Sequence, residues 1–353
     1  MKKFLAILMA ISMVIVLFTS CVATKVDSGN GIEAEINTDV PKMPEKVKVQ
    51  SFGELLKKRT EAGKNIENLS ADVKCTIDLE MMGEAERVDM DMQIEVDTKN
   101  TASHMLITTT PQSTGETTTS EVYSDTKYTY TKDVTDEWFK HENDIEDNLE
   151  LKALIEELKN KEIDYSKYIS DGVYSEETYD GKECFKLGYN MNLKLLDMIS
   201  EFGIGNDEIE DFRESLAEEV GPEMAGVLFD MFSDLGTVPV TEYIDAYTLY
   251  PVRMSMDMTQ ALERIINKII DFSIASYGEG LTREDLGLEF AINELSFDMA
   301  IDSVNTTEIT IPEEVLSAPE FTEDYIDEYY DFDDDYDDYD DYDDDYDDYY
   351  DFD

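Results

Sequence analysis

Between Ser70 and Met81 the odd positions Val73, Cys75, Ile77, Leu79 and Met81 are apolar, while Asp72, Lys74, Thr76, Asp78 and Glu80 between them are polar. After a turn around Gly83 the alternation resumes, with Val88, Met90, Met92, Ile94 and Val96 set against Asp89, Asp91, Gln93 and Glu95. Successive side chains of a strand point to opposite faces, so this period of two predicts an antiparallel hairpin with one dry face and one wet face. Further strands are predicted at 101–110, 117–124, 126–132 and 136–141, with the Thr-rich TTTPQSTGETTT bending between two of them. Two more, at 172–179 and 183–191, meet at the turn Tyr179-Asp180-Gly181-Lys182. Strands at 238–245 and 250–258 follow, the second with Met254, Met256 and Met258 in one phase. A last strand carries Leu295, Phe297, Met299 and Ile301 before ITIPEEV.

Helical spacing separates these strands. Phe52, Leu55 and Leu56 begin a short amphipathic helix, with Ile66 and Leu69 continuing its apolar side. Ile145, Leu149, Leu154, Ile155 and Leu158 predict a second helix. Residues 192–233 form a helical insert punctuated by Gly203, Gly205 and Gly221-Pro222, and Leu262, Ile265, Ile266, Ile269 and Phe272 mark a longer helix. Strand runs broken by helices able to cover one sheet face predict an α+β domain over 51–318.

The ends of the chain change this picture. Lys2 and Lys3 precede an apolar run from Phe4 to Phe18, which is broken only by Ser12 and ends at Thr19-Ser20-Cys21. About 15 residues is short of the roughly 20 needed for a spanning helix, so residues 1–20 read as a secretory signal. Phe18-Thr19-Ser20-Cys21 resembles the lipobox of bacterial lipoproteins, with Phe18 in place of the usual Leu, Ile or Val. The resemblance implies a diacylglycerol on Cys21 and residence at the cell membrane on its extracytoplasmic face. Residues 21–50, mixing Gly, Pro, Ser and charge, read as a flexible tether. From 319 to 353 the chain becomes an Asp/Tyr-rich tail with no aliphatic residue after Ile326, which predicts disorder.

A formal net charge of -56 excludes ordinary nucleic-acid binding, because no basic stripe exists to neutralise phosphates. With Cys21 lipidated, Cys75 and Cys184 are too few for a disulfide framework, and the apolar phase of Cys75 makes it a small buried hydrophobe.

The hairpin SADVKCTIDLEMMGEAERVDMDMQIEVD, the segment EVYSDTKYTYTKDVTDEWFKHE, and the later CFKLGYNMNLKLL, TEYIDAYTLYPVRMSMDM and TEITIPEEV together resemble lipoproteins of uncharacterised function with an unclosed β-barrel. These are related in shape to the LolA lipoprotein carrier and to the mycobacterial lipid-handling lipoproteins LprG and LppX. The resemblance, over roughly 51–318, implies a curved antiparallel sheet with helices on its concave face and, in the better-known relatives, a pocket for acyl chains. The helical insert and the acidic tail depart from that pattern.

Candidate chemistry is sparse. His104 and His141 are the two histidines, and there is no H-E-x-x-H, G-x-S-x-G or Gly-rich phosphate loop; a non-enzymatic protein with no cofactor is expected. The S-x-x-K match at Ser124–Lys127 falls at a strand turn and reads as chance, and the pairs Glu156-Glu157 and Glu218-Glu219 read as solvated surface. Met81, Met90, Met92, Met254, Met256, Met258 and Met299 share apolar strand faces, and unbranched thioethers adapt to irregular apolar ligands as readily as to covering helices. These seven are the candidate ligand-binding residues for an acyl chain or lipid. The alternative is a surface interaction or sensory module with a packed core, whose tail carboxylates take up Ca²⁺ weakly or dock on a basic protein; the tail lacks the Gly and Glu of an EF-hand loop.

Overall fold

The computed structural model describes residues 45–81, 83–132, 136–143, 167–194, 197, 209–210, 213–214, 216–217, 221–277, 282–283 and 290–320. The signal segment, Cys21, most of the tether, the helix expected from Ile145 to Leu158, much of the 192–233 insert, both Glu-Glu pairs and the tail from 321 lie outside them.

Eleven strands form one antiparallel sheet: β1 (Asn68–Met81), β2 (Glu84–Asp97), β3 (Ala102–Pro111), β4 (Thr118–Ser124), β5 (Tyr128–Lys132), β6 (Trp138–Glu142), β7 (Ile169–Tyr179), β8 (Lys182–Asn192), β9 (Thr237–Asp245), β10 (Pro251–Asp257) and β11 (Phe290–Val304). Their order is β6-β5-β4-β3-β2-β1-β11-β10-β9-β8-β7, so the sheet is not closed and β6 and β7 are its edges. The predicted phases hold in the register: Val73 lies opposite Met92, and Cys75 opposite Met90. β7 and β8 join through Asp180 and Gly181, whose φ angles of 48° and 75° suit a tight two-residue hairpin turn.

Four described helices accompany the sheet: α1 (Phe52–Gly63), α2 (Pro222–Ser233), α3 (Thr259–Tyr277) and the single turn α4 (Glu313–Leu316). Ser51 caps α1, its Oγ accepting from the Glu54 amide at 3.2 Å, while Glu54 accepts in return from the Gln50 amide at 2.8 Å. Lys58 first, and that amide second, hold the Glu54 carboxyl below the usual range. The helix is shorter than its apolar spacing suggested. It ends at Gly63, and Leu69 belongs instead to β1, where it starts the strand alternation.

One core fills the apolar side. Leu55 of α1 and Ala261 and Leu262 of α3 join Val73, Phe185, Leu187, Val240, Met254 and Leu295 of the sheet, and α2 packs on α3. On the other side of β4–β6, Tyr123 and Tyr130 form a smaller cluster with Val315 and Ala318 of the segment that follows β11. There the His104 ring stacks on Tyr123 at 4.2 Å, with its two nitrogens each 3.1 Å from a carboxylate oxygen, of Glu95 and of Glu121. The chain stays engaged to Glu320, because the Lys140 amide of β6 donates to the Pro319 carbonyl at 3.0 Å. The S-x-x-K residues turn between β4 and β5. Ser124 Oγ stands 3.3 Å from Thr129 Oγ1, and the Lys127 ammonium donates to the Tyr128 hydroxyl, so no Ser–Lys pair forms.

Cys75 and Cys184 are buried free thiols. Burial pushes the Cys75 thiol from about 9 up to about 12. Burial first, then Glu121 for Tyr123 and Asp125 for Tyr130, push both phenols from about 10 up to about 12. Each group is more acidic unfolded than folded, so its stabilisation is complete below the unfolded value and is lost as pH rises toward the folded one. The midpoint of thermal unfolding followed by circular dichroism should therefore fall between pH 9 and pH 12; a flat midpoint there would contradict these assignments.

Candidate functional site

The strand registers assemble one row of side chains across the apolar face. Ile107 lies opposite Met92, Met92 opposite Val73, Val73 opposite Met299 and Met299 opposite Met254. Met254 lies opposite Glu242, and Glu242 opposite Leu187. A neighbouring row runs Met90, Cys75, Phe297, Met256, Val240, Tyr189. Antiparallel pairing over four strands, β2, β1, β11 and β10, thus gathers five of the seven candidate methionines, Met90, Met92, Met254, Met256 and Met299. Met258 follows β10 directly, its amide donating to the Leu295 carbonyl at 2.7 Å. Met81 pairs with Phe290 and Glu84 at the far end of β1, and its side chain is outside the described residues.

Burial is graded along the face. Met254 is 2%, Met299 4%, Met256 and Met258 5% and Met90 6% exposed, whereas Met92, Ile94, Met105 and Val122 toward β2–β4 are only half-buried. The gradient follows the helices: α1 contacts β7, and α3 contacts β9 and β11, with Ile265, Ile266 and Ile269 of α3 against the core.

One charge interrupts the apolar row. Glu242 is 1% exposed, and its carboxylate accepts from Arg59 of α1, from Nε at 2.9 Å and from the terminal nitrogen at 2.6 Å. Arg59 follows Leu55 by four residues, so the two share one helix face, and Leu55 is fully buried. Phe52, one turn earlier, stacks obliquely on Tyr189 at 5.9 Å and lies on Gly172, where a methyl group would overlap its ring. Burial first, then the Glu242 charge, push the Tyr189 phenol up. The pair was missed among the candidates, yet it left a trace. In VPVTEYID the alternating positions 238, 240, 242 and 244 read Val, Val, Glu, Ile, a carboxylate in an apolar phase.

Residues 51–269 match a family of unknown function, DUF6612. The chain belongs to that family. The DUF6612 match runs from the N-cap of α1 into α3, taking in β1 to β10 and both members of the Arg59–Glu242 pair, while β11 lies beyond it. No curated protein matches the chain. Among solved structures it is similar to a DUF1329 family protein from Desulfovibrio piger, with 9% identity over 73% of this chain and 93% of that one and a TM-score of 0.20. It is also similar to a domain assigned as an outer membrane lipoprotein-sorting protein from Vibrio parahaemolyticus, with 8% identity over 73% of this chain and 94% of that one, again at a TM-score of 0.20. At that score each overlap is loose, and neither bears on function.

Proposed function

We propose that this DUF6612 protein is a non-enzymatic lipoprotein, anchored through Cys21 on the outer side of the cell membrane, that binds a long-chain apolar ligand across the strands of its sheet. The observation that carries this reading is the register-aligned row Met92, Val73, Met299, Met254, an apolar surface continuous over four strands in which three of the four side chains are unbranched, adaptable thioethers. Half-buried Met92, with half-buried Ile94 and Met105 beside it, gives the ligand access. Toward β10 the ligand replaces side chains of α1 and α3, gaining about 25 cal/mol for each Å² of apolar surface removed from water. Met90, Met256 and Met258 flank the row.

A second reading has its own support. Exposure of 2–6% at Met90, Met254, Met256, Met258 and Met299 describes a filled core, which suits a spacer whose acidic tail meets Ca²⁺ or a basic partner. One experiment separates the two. Delipidated protein titrated with a fluorescent long-chain fatty acid should show saturable uptake, and native mass spectrometry of protein extracted from its own membrane should show a passenger beyond the Cys21 lipid. Met92→Lys, at the half-buried end, should weaken uptake by about tenfold or more, since it sets a charge against hydrocarbon. Absence of uptake and passenger would leave the filled-core reading.

A further inference from the structure

The row that carries the proposed ligand is interrupted by a carboxylate, with buried Leu187 beyond it. From Met92 to Glu242 is four strand spacings, about 19 Å, the length of a long alkyl chain. Over that span the side chains read Met92, Val73, Met299, Met254, Glu242, hydrocarbon up to a single negative charge. Stability does not account for that charge, because a buried ion pair is commonly no more stabilising than well-packed hydrophobic residues of similar volume. Its partner has the form of a ligand head: Arg59 presents a cation on a short hydrocarbon stem, carried in by a helix whose own fully buried residue is Leu55. An anionic head placed there would meet the Glu242 carboxylate in a region of low dielectric and be repelled, whereas a cationic amine would take over the position of the guanidinium.

We infer that Glu242 is a head-group subsite for amphiphiles bearing a cationic amine, and that Arg59 is its built-in occupant in the unliganded protein. This rests on the ligand reading above and adds the class of head group. The amine displaces Arg59 from the carboxylate while the alkyl chain lies over Met254, Met299 and Met92.

The test uses the mature, delipidated protein and three amphiphiles of one chain length at submicellar concentration: hexadecylammonium, hexadecanol and palmitate. Affinities come from displacement of a fluorescent alkyl probe. Wild type should bind the ammonium about tenfold or more tighter than the alcohol, and palmitate more weakly than either. Glu242→Gln should bring ammonium and alcohol to equal affinity, and Arg59→Met, which frees the carboxylate, should tighten ammonium binding further. Circular dichroism melts establish that each variant is folded; where Arg59→Met is not, Glu242→Gln and the double variant Arg59→Met/Glu242→Met decide. Equal affinity of wild type for ammonium and alcohol, or an ammonium preference that survives in Glu242→Gln or in the double variant, would overturn the head-group assignment and leave ligand binding standing. Failure of all three amphiphiles to bind would remove both.

Discussion

Arg59→Met should lower the free energy of unfolding by about 3–5 kcal/mol, the usual consequence of leaving one member of a buried ion pair without the other. Glu242 has 1% of its surface exposed, so it cannot exchange the guanidinium for water while α1 stays in place. Adding Glu242→Met to the same chain should return most of the loss, bringing stability to within about 1 kcal/mol of wild type or above it. The double variant removes both desolvation costs and puts two adaptable side chains beside Met254 and Leu187, the register neighbours of Glu242. Urea unfolding of the two single variants and the double variant gives the coupling directly. Single-variant losses that simply add in the double would show that the two residues act independently, against the hydrogen bonds of 2.9 and 2.6 Å between them.

That energetic balance also bears on how firmly α1 is held. Undocking the helix exposes Leu55 and Phe52 to water at a cost, but returns hydration to both charges, which offsets part of that cost. The docked position is thus specified in geometry without being deep in energy, which is what the proposed displacement of Arg59 by a ligand requires. Phe52 resting on the bare backbone of Gly172 adds shape to that specification, since any larger residue at 172 would displace the ring.

Much of the sheet was legible because strand alternation is a local property. Val73, Cys75 and Ile77 announce their face within a few residues, and the Asp180-Gly181 turn fixes the β7–β8 hairpin through its own backbone preferences. The position of β11 was not legible in the same way. It pairs with β1 across more than two hundred residues of sequence and with β10 on its other side, so it joins the two runs of strands into one sheet, and nothing in FAINELSFDMAIDSV names those neighbours. Leu69 was misplaced for a related reason. An apolar residue at helical spacing from Phe52 and Leu55 is also in strand phase with Val73, and the break at Gly63 to Asn65 decided between the two. The candidate methionines were visible as a phase, but their collection into one row depends on register, and the burial that ranks them depends on where α1 and α3 pack. Glu242 illustrates the limit best: the sequence displays a charge in an apolar phase, and only the fold supplies Arg59, 183 residues away.

Cys21→Ser should release essentially all of the protein from the membrane into the soluble fraction. Among the described residues no helix is long and apolar enough to cross a bilayer, and the apolar run from Phe4 to Phe18 is several residues short of spanning one. Charge cannot substitute for the anchor, because a chain of net charge -56 is repelled by anionic headgroups rather than held by them. On the proposed reading, attachment falls to hydrocarbon. Each buried methylene contributes about 0.8 kcal/mol; one acyl chain alone binds marginally and reversibly, whereas the two of a diacylglycerol hold firmly. Fractionation of cells expressing wild type and Cys21→Ser, with mass spectrometry of the mature N-terminus, measures both the location and the modification. A serine variant that pellets with membranes as fully as wild type, through a high-salt wash, would show that something other than Cys21 holds the protein there. Loss of the anchor should leave the proposed ligand affinity of the domain unchanged, because the row from Met92 to Glu242 is built wholly within the folded sheet, with Arg59 supplied by α1.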